Sequence, residues 1–270
     1  MTARTIAPAP VLAPVLFVSH GAPTFALEPG PLGARLGEVG RELDGLRAVL
    51  VVSPHWQTRG LEVMTTERPA TIHDFGGFPP ALYQLAYPAP GAPEAAAEAA
   101  RLLGEAGWQP TENDQRGLDH GAWVPLMHLL PDARVPVFQL SLPHTLDAHQ
   151  ALELGRALAP LRERGIAILG SGSMTHNLYE FRGAASRTEP YVARFTEWVR
   201  EAVLRHDSAS LADYRRRAPE AVRAHPTEEH FLPLLVAMGA SGEGEQPMLL
   251  DDEVRYGMLS MESYAWGLAA

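Results

Sequence analysis

Four short apolar runs, at residues 15–19, 48–53, 135–142 and 166–170, constrain this chain more than any other feature. Each is rich in β-branched or aromatic residues, and each is soon halted by glycine, proline or histidine. Unbroken apolar runs of this length suit central strands covered on both faces, since alternation is expected only where one face meets water. Helix-like segments follow at 93–106, 147–164 and 189–205. In the first, Ala96, Ala100, Leu103 and Ala106 recur at helical spacing, and in the last Val192, Phe195, Val199 and Val203 form one apolar stripe. Strands alternating with helices predict an α/β fold, with a central, mostly parallel sheet flanked by helices. Segments 248–253 and 257–264 add a predicted terminal strand pair. No repeat, low-complexity tract or linker breaks the sequence, so a single domain is expected across residues 1–270. Residues 1–14, punctuated by Pro8, Pro10 and Pro14, read as a flexible terminus without the small-residue cleavage site of a leader, and a cytoplasmic protein is expected.

Composition then narrows the chemistry. A formal net charge of −10 argues against a nucleic-acid partner, because phosphate recognition needs a basic face. No apolar run reaches the length of a membrane span. The chain has no cysteine, which excludes disulfides, thiolate sites and iron–sulfur clusters. Any metal must be held by imidazole and carboxylate, a donor set suited to Fe(II) or Zn(II).

Histidines mark the ends of the apolar runs. His20 follows the first, His55 the second and His176 the fourth, the last across a turn rich in glycine and serine. His20 and His55 are 35 residues apart, about one βαβ unit. In a parallel sheet the crossover returns both strand ends to one edge, outside which ligands bind in open α/β sheets. The expected metal site therefore lies at the C-terminal edge of the strands. His230 falls near a predicted helix start, with either Thr227 as cap or Pro233 in the first turn. His225, Glu228 and Glu229 are rival donors on the same segment. In the segment 117–126, Asp119 stands beside His120 and is a candidate to orient its ring, while Trp123, Leu126, Leu129 and Leu130 read as the buried side of a short helix. Segments 71–79 and 83–91 are rich in aromatics, glycine and proline and are candidate walls for an aromatic substrate.

Six ordered stretches, at 19–23, 53–56, 73–79, 118–126, 170–177 and 225–233, together resemble the 4,5-DOPA extradiol dioxygenase family of class III extradiol ring-cleavage dioxygenases, which includes the catalytic subunit of protocatechuate 4,5-dioxygenase. The likeness runs from about Leu16 to Trp266. It implies a ring-opening dioxygenase that inserts O2 beside the diol of a DOPA-like catechol and yields a semialdehyde. It implies that His20, His55 and His230 hold one divalent metal per chain, Fe(II) for dioxygenase activity or Zn(II) as a bound ion. His176 matches the acid–base histidine, which in zinc-loaded relatives lies close enough to join the metal ligands, and His120 matches a second catalytic histidine. Relatives in the wider class use two histidines and a glutamate; here a histidine takes the carboxylate's place. The implied partners are a small aromatic diol and O2, with no nucleic acid and no membrane. The alternative is a zinc-dependent hydrolase on the same histidines.

Overall fold

The computed structural model describes residues 12–43, 45–183 and 187–268. Its sheet grows from the four apolar runs. β1 (Val15–Ser19), β2 (Ala48–Thr58), β5 (Val137–Pro143) and β6 (Ile166–Gly172) lie side by side in the order β5-β2-β6-β1, all parallel. β1 and β6 are buried along their whole length, as their unbroken apolar pattern requires. β3 (Glu62–Met64) and β4 (Thr111–Asn113) extend one side. β7 (Met248–Asp251) and β10 (Ser263–Trp266) extend the other as an antiparallel pair, with β10 against β1. β8 (Val254–Arg255) and β9 (Leu259–Ser260) form a small separate hairpin. The expected terminal pair is thus present, but its second strand begins at Ser263 rather than 257.

Helices flank this sheet: α1 (Gly30–Glu42), α2 (Pro93–Glu105), α3 (His120–Leu129), α4 (Ala148–Leu158), α5 (Pro190–Leu204), the short α6 (Ser208–Ala212), α7 (Tyr214–Arg217) and α8 (Ala221–Ala224), and α9 (Leu232–Ala240). α4 begins with a reciprocal cap, in which Asp147 accepts from the Gln150 backbone N–H at 2.8 Å and the Gln150 side chain accepts from Asp147 N at 3.1 Å. α9 is apolar all round and buried at every residue, the signature of an interior helix. It packs on β6, β1 and β2, while α3 packs on β2 and against α1. Of the terminus expected to be flexible, residues 1–11 lie outside the described residues. Ala13 and Pro14 are buried, and Ala13 exchanges hydrogen bonds with the backbone and side chain of Arg162. Among the described residues no helix is long and apolar enough to cross a membrane.

Two local features place the site. The first is in β2, where pairing with β5 advances from Val52↔Leu140 to Gln57↔Leu142, five steps on one strand against two on the other. The intervening Ser53–Pro54–His55–Trp56 bows out of the ladder, which accommodates a proline and re-aims the side chains around it. His55 is therefore inside a strand, not beyond its end. The second is the seam between β6 and the start of α9. A Cβ on Gly172 would stand 2.3 Å from the His230 carbonyl oxygen, so only glycine lets the two backbones meet.

Gly172→Ala should therefore lower stability by about 2 kcal/mol, the usual cost of overpacking a tight interior. Gly104→Ala in α2, where an added Cβ meets nothing within 4 Å, should be neutral or slightly stabilising. Urea denaturation midpoints of the two variants check the contrast.

Candidate metal centre

His20 leaves the end of β1, and its backbone N–H donates to Gly172 O on the neighbouring strand at 2.9 Å. The residue before it works as a clasp: Ser19 Oγ donates to Glu262 O at 2.7 Å and accepts from Met174 N at 3.0 Å. That ties the end of β1 to the loop carrying His176. The same loop is stitched to the segment carrying His230, through Ser173 N to His230 O and His176 N to Ala224 O, both 2.9 Å. The adjacent Asn177 donates its side-chain amide to Arg223 O at 2.7 Å. His230 sits in the turn just before α9, which starts at Leu232 with Pro233 in its first turn, and not at Thr227.

These constraints bring four sequence-distant imidazoles together. His20 Nε2 and His55 Nε2 are 3.0 Å apart. The rings of His20 and His230 are 5.8 Å apart and those of His55 and His230 5.1 Å. One donor atom from each of His20, His55 and His230 falls within 4.8 Å of the other two. His176 stacks flat on His230, with centroids 3.5 Å apart and planes 7° from parallel. Its donor atoms group with Glu229 and His230, not with His20 and His55.

Each triad ring is held from behind. His20 Nδ1 lies 2.9 Å from Ser171 Oγ, His230 Nδ1 lies 3.2 Å from Glu229 Oε1, and His55 Nδ1 faces Asp74 at 3.7 Å. With Nδ1–H directed outward, the Nε2 lone pairs face one another. His230 Nε2 is buried and has no hydrogen-bond partner. Burial, followed by the neighbouring imidazoles, pushes His20 and His230 well below the ordinary histidine range. Burial and His120 bring His55 down to about 4, against the pull of Asp119 and Asp74, and burial likewise brings His176 to about 4. Converging neutral lone pairs, one of them orphaned, are costly unless a cation satisfies them. Three nitrogen donors with their opposite faces anchored fit a divalent metal of the Fe(II) or Zn(II) kind.

The rival donors are occupied elsewhere. His225 Nε2–H donates to Met174 O at 2.9 Å, and the ring packs among Phe195, Tyr214 and Phe231. Glu228 pairs with Arg215 at 3.0 Å. Glu229 supports His230 while accepting from Thr227 Oγ1. His144 is exposed and meets Gln57.

His120 opens α3, its ring 3.9 Å from that of His55 and 5.5 Å from that of His20. Gly121 permits this approach, because a Cβ there would lie 2.3 Å from Ser53 Oγ. Asp119, expected to orient His120, does something else. It is fully buried and accepts from Ser53 Oγ (2.7 Å), Gln139 Nε2 (2.8 Å) and Arg116 Nη2 (2.9 Å), the last of which also donates to His55 O. It therefore braces the bowed strand. The carboxylate on His120 belongs to Asp74, which accepts from His120 Nδ1 at 2.9 Å and from its backbone N–H at 2.8 Å. Burial pushes the Asp74 carboxyl up, but the contacts from His120 outweigh it and hold the group at about 2. The sequence offered Asp74 only as part of an aromatic segment, since its partner lies 46 residues away. Phe75 stands edge-on to His120 at 5.5 Å and packs against Phe78 from its own segment and Tyr83 from the 83–91 segment.

The cluster of His20, His55 and His230 at the C-terminal edge of a mostly parallel sheet, with His120, His176 and Phe75 beside it, is a candidate metal site of an α/β fold. Residues 34–265 match the family described as the catalytic LigB subunit of aromatic ring-opening dioxygenase. The chain is 40% identical to the 4,5-DOPA dioxygenase extradiol of Beta vulgaris, over 92% of this chain and 94% of that protein. It is 38% identical to the protein of the same name from Escherichia coli K12, over 94% of each. A crystal structure of an uncharacterized Escherichia coli K12 protein superimposes with a TM-score of 0.76 at 31% identity, covering 94% of this chain and 99% of that one. This chain belongs to the LigB family of aromatic ring-opening dioxygenases.

The depressed histidines carry a pH signature. His55 and His176 are neutral at pH 7 in both the folded and unfolded chain, where free histidine titrates near 6.5. Below that value the unfolded chain takes up protons that the fold refuses until about pH 4. Metal-free protein should lose stability as pH falls from about 6.5 to about 4, as urea midpoints measured at steps across this window will register.

Proposed function

We propose that this protein is an Fe(II)-dependent extradiol dioxygenase that opens the ring of a DOPA-like catechol with O2, giving a semialdehyde. The observation that carries the proposal is the buried convergence of His20, His55 and His230, with His120 and His176 beside it and neither needed to complete the triad. In this reading those three residues are the metal ligands. The iron they hold supplies Lewis acidity and one-electron redox capacity linking a catechol to dioxygen. The names of the beet and Escherichia coli relatives support the catechol class.

The chain's own residues do the rest. His176, half-buried, neutral at pH 7 and stacked on His230, accepts a proton from a catechol hydroxyl. His120, with Nδ1–H committed to Asp74, keeps on Nε2 a lone pair that can accept a hydrogen bond from a catechol hydroxyl. Phe75, edge-on to His120, flanks the aromatic ring of the substrate. Tyr83 and Phe78 continue that wall outward.

Metal-free protein reconstituted anaerobically with Fe(II), then mixed with DOPA or a simple catechol in air, should consume oxygen and form a yellow semialdehyde; the Zn(II) form should do neither. No oxygen uptake by the iron form with any catechol would overturn the reading. His20→Ala and His55→Ala should lose bound metal, measured by elemental analysis. His120→Ala should keep it and lose about 100-fold or more in kcat/KM.

A further inference from the structure

His120 has a carboxylate beside it in sequence, Asp119, that it does not use. All of Asp119's side-chain bonds go to Ser53, Gln139 and Arg116, and it makes no cap to the helix it precedes. Asp74 does both jobs from a distant loop. One oxygen accepts the His120 backbone N–H at the start of the ten-residue helix α3, and the other accepts Nδ1–H. That second oxygen also lies 3.7 Å from His55 Nδ1. The loop bearing Asp74 is itself fixed: Ile72 N donates to Leu118 O at 2.7 Å, Leu118 N to Ala70 O at 2.8 Å, and Trp123 Nε1 to Ile72 O at 3.0 Å. These bonds fasten the loop to the stretch that leads into α3.

The two oxygens impose a definite proton arrangement. A carboxylate only accepts, so the nitrogen it faces must carry a hydrogen. Nδ1 is then a protonated nitrogen of His120, and the ring's other nitrogen, Nε2, is turned away from the carboxylate. An imidazole free of this contact could take either tautomer and could turn about χ2. The same oxygen favours Nδ1–H on His55, leaving the Nε2 of that ring to face His20 Nε2 at 3.0 Å.

We propose that Asp74 is the positioning residue of the site: it fixes His120 as the Nδ1-protonated tautomer, with Nε2 directed at the substrate, and sets the facing orientation of His55. The role rests on the dioxygenase reading for its consequence in turnover, but the tautomer itself is independent of that reading.

Asp74→Asn separates positioning from capping. The carboxamide keeps the shape and one oxygen, which can still accept the His120 backbone N–H and hold α3. Its NH2 then faces Nδ1 and donates, which forces Nδ1 to accept and moves the ring proton to Nε2. Zinc-loaded protein is diamagnetic, so the tautomer is readable from two-dimensional 15N–1H spectra of the imidazoles, with the His120 signals assigned by their absence in His120→Ala. Wild type should show His120 protonated at Nδ1, and Asp74→Asn should show it protonated at Nε2. In the iron form Asp74→Asn should retain bound metal and lose about 100-fold in kcat, with KM for the catechol changed only a few-fold. Asp74→Ala, which also loses the cap, should in addition lower the urea midpoint. An Nε2-protonated His120 in wild type, or an unchanged tautomer in Asp74→Asn, overturns the proposal. Unchanged kcat alongside a reversed tautomer leaves Asp74 a cap without catalytic consequence and overturns it equally. If wild-type iron protein consumes no oxygen, the dioxygenase reading fails while the spectra still decide the tautomer.

Discussion

Everything around the site follows from one awkward requirement, that uncharged imidazole nitrogens be buried with their lone pairs facing each other. His20 Nε2 stands 3.0 Å from His55 Nε2, and His230 Nε2 is buried with no partner. Water would satisfy these groups in an open cleft. Here His20 and His230 are almost wholly buried, while His55 is half-buried. In the proposed reading a metal ion satisfies these nitrogens, and the scaffold holds the three rings close enough to share it. His20 and His230 are each hydrogen-bonded from behind, by Ser171 and Glu229, and His55 faces Asp74 at 3.7 Å.

The scaffold meets that requirement by close backbone contact and buried polar braces. Gly172 lets β6 touch the turn bearing His230, and Gly121 lets α3 reach the bowed segment of β2. Asp119 and Arg116 hold that segment from within the core, Arg116 through the His55 carbonyl itself. At the far side, Glu262 is fully buried and paired with Arg200, and its backbone carbonyl receives Ser19 beside His20. A buried carboxylate in such a position is stable only while its partner stays. The strand ends are thus fixed by polar networks.

Much of this was legible in the chain. The four apolar runs became the four parallel central strands, and the rule that crossovers return strands to one edge located His20, His55 and His176 together. The helices expected at 93–106 and 189–205 formed almost to their predicted ends. The expectation failed where a neighbour in sequence was taken for a neighbour in space. Asp119 adjoins His120, yet the helix start turns the two side chains apart, and Asp74 arrives from 46 residues away. The apolar run 48–53 predicts a strand that ends before His55, because Pro54 cannot join a regular ladder. In the fold the strand bows around the proline and resumes.

By itself the sequence determined the class of fold, the absence of thiolate chemistry and the histidines that belong to one edge of the sheet. Those follow from periodicity and composition, which act over a few residues at a time. Only the tertiary structure decided which nitrogen of each ring faces inward, that Asp74 and not Asp119 serves His120, and that His225 turns to Met174 O and not to the cluster. The physical reason is range. A hydrogen bond is settled within about 3 Å, and no local pattern encodes which of several distant carboxylates will stand at that distance once the helices have packed.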